Sequence, residues 1–494
     1  MKLKSLLVIS SPICLSHLVP LLFEFYDMFK KRYKLIHIAT RMGYSTIVQK
    51  LIEIGCDIEA KQIQGSTPLH VAVSHGKLHV AKALIKMGAE INPKCDVVKA
   101  TPIFDAVCAG NEEIVKFLMV NNADLNAKNK YGETPLFNAV HYEYENIAKL
   151  LLENGADPNS SNIEKRTPLF CAKSETIIET LLEYGADPNS RNDEQRTPLF
   201  HAESENIIKI LLEHGADPNF SDHKQRTPLF YAKSENHIKI LIDYKANIHH
   251  KDDEGLTPIT HASVLYKPQM PETINKIKAL IRNGAEINTQ PTMHKLLIHK
   301  VIEHWDTDLL EFLICNGADT NILDNSQKTL LIIAIQNQFE EGMRLLIDNG
   351  AIVNYIDANG NTPLLFAART NSRIIRTLIK SGADVSSKNN MQETPLHWAT
   401  RNGNVEAIET LVENGADLNA KTIFMETPLD YAVMSNEYNA LKIILELFAE
   451  VDAMAGQNKS SYELSLQLKS FSTFKTIAYT VHNLTKNVEL KYQP

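Results

Sequence analysis

Three arginines recur thirty residues apart, Arg166, Arg196 and Arg226, each directly before a Thr-Pro pair. A planar guanidinium offers a fork of donors that matches a carboxylate or phosphate two bonds at a time, so an evenly spaced series suits capture of an acidic group. With their neighbours Glu164, Asp193, Glu194, His223 and Lys224 they form the set of candidate partner-binding residues. The plainer reading is a copied surface residue that pairs with Glu164, Glu194 or Asp193, each contact worth about 0–1 kcal/mol. A second cluster, His249-His250-Lys251-Asp252-Asp253, carries metal-ligating types, but it falls in a polar link and lacks the spaced, convergent ligands of a zinc site. No metal is expected there. The six cysteines are scattered without a Cys-x-x-Cys pair, which points to a reducing compartment rather than to disulfides. A phosphate loop, a Gly-rich dinucleotide turn, His-Glu-x-x-His, a nucleophile elbow and kinase signatures are all missing, so no catalytic residue, cofactor or small-molecule substrate is expected.

The arginines belong to a larger repeat. The stretches opening at Thr167, Thr197 and Thr227 are one module written three times, TPLF-x-A-[KE]-SE followed by apolar pairs such as Ile177/Ile178 and Leu181/Leu182. Each reads as a short helix opened by Thr-Pro, a turn, a second helix and a Gly stop. Pro at the first helical position lacks only a donor that would be unpaired anyway, and the preceding Thr caps the end. Ser174, Ser204 and Ser234 stand where they can cap the second helix. Further openings fall at Lys34, Thr67, Thr101, Thr134, Thr257, Leu296, Thr329, Thr362, Thr394 and Thr427, making thirteen units, with 33 residues the commonest spacing.

The Thr-Pro-Leu-x-x-Ala opening, the Gly-Ala-Asp-x-Asn close and this period resemble the ankyrin repeat family across nearly the whole chain. The resemblance implies an all-α solenoid of about thirteen helix-turn-helix units, curved, whose link tips and first helices offer one long surface to a protein partner. It also implies that the residue before each Thr-Pro lies on the exposed link side, so that the three arginines form a ladder at about 10 Å intervals. His70 and His397, in the T-P-L-H slot, are expected to make local hydrogen bonds. Cys171, His201, Tyr231 and Trp398 share a first-helix position expected to pack in the core. The alternating column Lys173, Glu203, Lys233 is expected to stabilise the stack.

The units from Thr167 depart from that pattern. They are 30 residues long, and the loss falls between the opening Ala and the second helix, so the first helix or its turn should be shorter, with a local change of curvature. They also hold Lys165, Gln195 and Gln225 where Gly65, Gly132, Gly255 and Gly360 keep glycine, which leaves either a rebuilt turn or tolerated strain. The block ends where Lys245 replaces the closing Gly. An insertion at residues 264–272, with Pro268 and Pro271, follows as a joint or a tolerated loop.

The domain plan is an apolar cap or leader at 1–33, the array at 34–484 with short units at 167–256 and a worn capping repeat at 460–484, and a tail at 485–494. An array grows by adding neighbours, so 494 residues make one array rather than several globular domains. The net charge of −8 disfavours a nucleic-acid partner. The prolines in the leader argue against a membrane span and leave a monomeric, cytoplasmic protein as the expectation, or one delivered into a host cell. The competing reading is a membrane-associated or toxin-like protein that uses the leader, with the array as stalk. The repeat style is similar to ankyrin proteins of obligate intracellular bacteria and large DNA viruses, which implies an effector acting on host proteins.

Overall fold

The computed structural model describes residues 35–289 and 296–454; the expected leader, capping repeat and tail lie outside the described residues. Among the described residues the elements are helical throughout, apart from one isolated bridge between Leu323 and Thr329. Thirteen pairs follow one another, from Leu35–Met42 with Ser45–Glu53 to Pro428–Met434 with Tyr438–Met454, and match the thirteen openings read from the sequence. The chain divides into two compact units between Glu254 and Gly255. Within each unit first helices pack on first helices and second helices on second helices. That packing buries apolar columns such as Val80/Leu84, Ile114/Leu118 and Leu151, which no single pair could cover.

The caps work as their residue types require. Thr134 Oγ1 accepts the Phe137 amide at 3.3 Å. At Thr67 the His70 ring closes the cap, with Nδ1 accepting the Thr67 amide at 3.1 Å, while Nε2 lies 3.1 Å from the Ala100 carbonyl of the next link. His397 repeats this with Thr394 and Glu426. Burial holds both rings below the usual histidine pKa, so they act as neutral local ties. Ser204 and Ser234 cap their second helices at 3.1 Å, whereas the Ser174 hydroxyl turns to Glu145 at 2.6 Å.

The three-residue loss falls on the first helix. Full-length units use seven-residue helices such as Pro135–His141; the short units keep only 3-10 turns, Pro168–Phe170, Pro198–His201 and Pro228–Tyr231. Their second helices retain nine residues. The inserted segment in the eighth unit lengthens the second helix to Pro271–Arg282 and is anchored by buried Tyr266, whose hydroxyl donates to Asp306 at 2.7 Å. At the far end Phe448 stands where other units place the closing Gly, and the second helix runs for seventeen residues, Tyr438–Met454. No described helix is long and apolar enough to cross a membrane.

The first twelve second helices each close on a residue of positive φ, such as Gly185 at 84° and Gly215 at 88°, and Lys245 holds the same conformation at 69°. A side chain there costs about 1 kcal/mol relative to glycine. Lys245→Gly should therefore raise stability by about 0.5–1 kcal/mol in urea unfolding, less than the full strain because glycine also loosens the unfolded chain.

Candidate protein-binding face

The links of the short units are built on one side chain each. Asn162 Oδ1 accepts the amides of Glu164 and Arg166, both at 2.9 Å, and Asn192 and Asp222 do the same in the next two links. Such a turn makes the left-handed conformation necessary two residues before Thr-Pro, and Lys165, Gln195 and Gln225 adopt it at φ 57°, 60° and 57°. The open alternative from the sequence resolves in favour of a kept turn with tolerated strain. Successive tips are then joined backbone to backbone, Asp193 N–H to Glu164 O, His223 N–H to Glu194 O and Asp253 N–H to Lys224 O, each at 3.1 Å. The tips are therefore rungs of fixed spacing.

The arginines on these rungs are not three equivalent exposed groups. Their side chains are 43 %, 26 % and 13 % exposed in the order Arg166, Arg196, Arg226. A difference lies twenty-six residues further on, where the position is neutral Asn192 for Arg166 but Asp222, which meets Arg196, and Asp252, which meets Arg226. Arg226 Nε donates to Asp252 Oδ2 at 2.9 Å, with Glu254 at 3.4 Å. Arg196 reaches Glu194 at 2.8 Å and Asp222 at 3.5 Å and lies over the Tyr231 ring. Arg166 pairs with Glu164 of its own link at 3.3 Å. Asp193 pairs with Lys165 at 3.2 Å, and Glu164, Asp193, Glu194, His223 and Lys224 are all exposed at the tips.

The column expected to pack in the core lies instead along the seam between link and first helix. Tyr231 Oη donates to Asp222 at 2.7 Å and accepts from Arg196; Trp398 Nε1 donates to Glu393 at 2.9 Å. His201 is exposed, its ring 5.8 Å from Phe170. The reason is the missing turn, which no longer covers these positions in the short units. Burial pushes the Cys171 thiol up to about 11, which leaves it protonated and a poor nucleophile at neutral pH. In the histidine cluster His250 Nε2 lies 2.9 Å from the Gln225 carbonyl while Asp252 holds Arg226, so both are engaged by adjacent residues of the preceding link.

The sequence reading missed the acidic partners Asp222 and Asp252, although their twenty-six-residue offset from an arginine is visible in the repeat. It also missed the tip Ile423-Phe424-Met425, three consecutive exposed apolar residues, where other links expose single ones such as Ile63, Val97, Ile163 or Met391. In the link before it, the counterpart of the arginine column is Glu393, which accepts from Trp398, Asn389 and Tyr431. Burial works to raise its pKa, but these three donors outweigh it and hold it below the usual carboxylate range.

Comparison with known proteins follows the same lines. A family model described as ankyrin repeats in three copies matches residues 13–95, 94–162, 160–222, 202–291, 298–389 and 384–455. The chain is 33 % identical over 98 residues to a transient receptor potential cation channel subfamily A member 1 homolog of Caenorhabditis elegans, covering 20 % of this chain and 8 % of that protein. It is 29 % identical over 104 residues to an ankyrin repeat protein of fowlpox virus, 21 % of this chain and 17 % of the other. An ankyrin repeat-containing protein of Schizosaccharomyces pombe is 35 % identical over 97 residues, 20 % of this chain and 45 % of the other. The chain thus spans less than half the length of each of these relatives.

Asp222 is buried, which works to raise its pKa, yet the Tyr231 hydroxyl, two backbone amides and Arg196 together hold it below the usual range. A depressed folded pKa contributes stability that is complete above the unfolded value, about 4, and is lost as pH falls through the folded one. Asp222→Asn should cost about 1–2 kcal/mol at pH 7, less than a fully buried pair because Arg196 keeps contact with water, and the difference from wild type should shrink towards pH 3. Thermal unfolding of both proteins at the two pH values measures it.

Proposed function

The chain belongs to the ankyrin repeat family, and from that premise we propose that it is a non-catalytic scaffold that binds a protein partner on the link tips and first elements of the units from Thr167 to Asp253. The observation that carries this reading is the backbone-bonded series of tips, which holds Glu164, Arg166, Asp193, Glu194, His223 and Lys224 at fixed spacing on an exposed edge. Fixed spacing lowers the ordering cost of binding, since the charged groups need not be brought together first. Arg166 leads the set because it has no carboxylate across the joint. Arg196 and Arg226 serve mainly to lock neighbouring links, and contribute contact through the parts of their guanidiniums left open.

A host-directed effector role is part of this proposal, supported by the repeat style and the likeness to a fowlpox virus protein. The free thiols at Cys56, Cys95, Cys108, Cys171 and Cys315 suit a reducing compartment, whether cytoplasm or a host cell, and we place the protein there as a monomer.

The test is affinity capture from host-cell lysate with the whole chain as bait, beside a chain carrying Arg166→Glu, Asp193→Lys and Lys224→Glu. These positions leave the Asp222 and Asp252 joints untouched, so circular dichroism should be unchanged. A specific partner held by the first bait and at least ten-fold weaker on the second is the expected result. Equal retention would remove the tips from the binding site.

A further inference from the structure

The missing turn leaves space behind. In the full-length units before the block, the residue six after the opening Thr is Val73, Val107 or Val140, each fully buried over the alanines Ala72, Ala106 and Ala139, which are fully buried too. In the short units that position holds Lys173, Glu203 and Lys233, all exposed, and Ala172 and Ala202 are half-exposed. An apolar knob has been replaced by a charged rim. A cavity of about 580 Å³ opens between the first and second short units, where it is lined by Leu169, Ile178, Pro198, Ile207 and Leu211. Another of about 190 Å³, lined by Leu199, Ile208, Pro228 and Leu241, opens between the second and third. The two share His201, Ala202 and Glu203.

We propose that these cavities form a paired socket for two apolar side chains of an amphipathic helix that the protein partner lays along the stack. This rests on the scaffold reading and names the chemistry of its partner. Neighbouring units lie about 10 Å apart, and residues i and i+7 of a helix lie about 10.5 Å apart on one face. An extended strand covers the same distance in about three residues, but those side chains point to opposite faces, so it cannot fill both cavities. The rim selects as well: Lys173, Glu203 and Lys233 alternate in sign once per unit, with Lys233 and Glu203 3.9 Å apart and both well exposed. A helix bearing acidic, basic and acidic residues at seven-residue steps beside its apolar stripe complements that order. The unequal volumes ask for a large residue such as Phe, Leu or Met in the first cavity and a small one such as Ala or Val in the second.

Panning a phage-displayed library of 18-residue helical peptides on the whole chain tests this, with counter-selection on an Ala202→Trp chain whose indole fills the shared wall. Ala172→Met serves as a second plug should the first fail to fold by circular dichroism. Enriched peptides should carry apolar residues at i and i+7 flanked by the complementary charges, bind the plugged chain at least ten-fold more weakly, and shift the methyl resonances of Ile178, Ile207 and Leu211. Three results would each overturn the socket: prolines recurring every third residue, the mark of a polyproline helix with its step of about 9.3 Å; equal binding to the plugged chain; or no enrichment. The broader scaffold reading is separable. A captured partner that still binds the plugged chain, yet is lost with the tip substitutions, leaves the scaffold standing without the socket.

Discussion

In most links one asparagine ties a unit to the next. Asn159 Nδ2 donates to the Gly185 carbonyl and its Oδ1 accepts the Asp187 amide, both at 2.8 Å. Asn189 and Asn219 repeat this within the same unit of the chain, and Asn288, Asn321 and Asn354 within the other. The last carbonyls of a helix have no partner of their own, and here the preceding repeat supplies one. A repeat is therefore incomplete without its neighbour in two respects, its helix end and its apolar face. This constraint also explains where three residues could be lost. Removing them from a second helix would shorten it by about 4.5 Å and draw its closing Gly away from the asparagine of the preceding link, whereas the end of the first helix carries none of these rungs.

The same dependence governs the charged face. Link tips are fixed by backbone bonds between units, so a side chain's availability depends on what the next link places opposite it. A single change from Asn192 to the Asp222 and Asp252 of later links converts an exposed guanidinium into a half-buried and then a mostly buried one. Duplicated residues are thus not duplicated functions. The unit with the neutral residue opposite keeps the most exposed of the three guanidiniums, and its two copies stiffen the rungs beside it.

The fold was legible because its signals are local and repeated. Thr-Pro caps, the Gly stop and a steady period placed all thirteen pairs, including the worn openings at Lys34 and Leu296, whose apolar pattern survived the loss of the cap. The site was legible only in outline. The sequence located the arginines and the shortened first helix, but pairing across a joint depends on which side chain stands twenty-six residues away, and a cavity depends on a turn that is missing. Cys171, His201 and Tyr231 were misread for the same reason, since their core assignment assumed a full-length helix over them; Trp398 has that helix and is still only half-buried, its indole turned to Glu393. The acidic residues of the links looked merely polar until the geometry showed that they carry the turns.

Hydrogen exchange of the whole chain, alone and with its captured partner, tests most directly that the short-unit block is the binding surface. Slowed exchange confined to residues 163–173, 193–203 and 223–233 is the expected result, since these segments contain the tips and the shortened first elements. Protection that falls instead on the second helices or on residues 255–454, with these three segments unchanged, would contradict it.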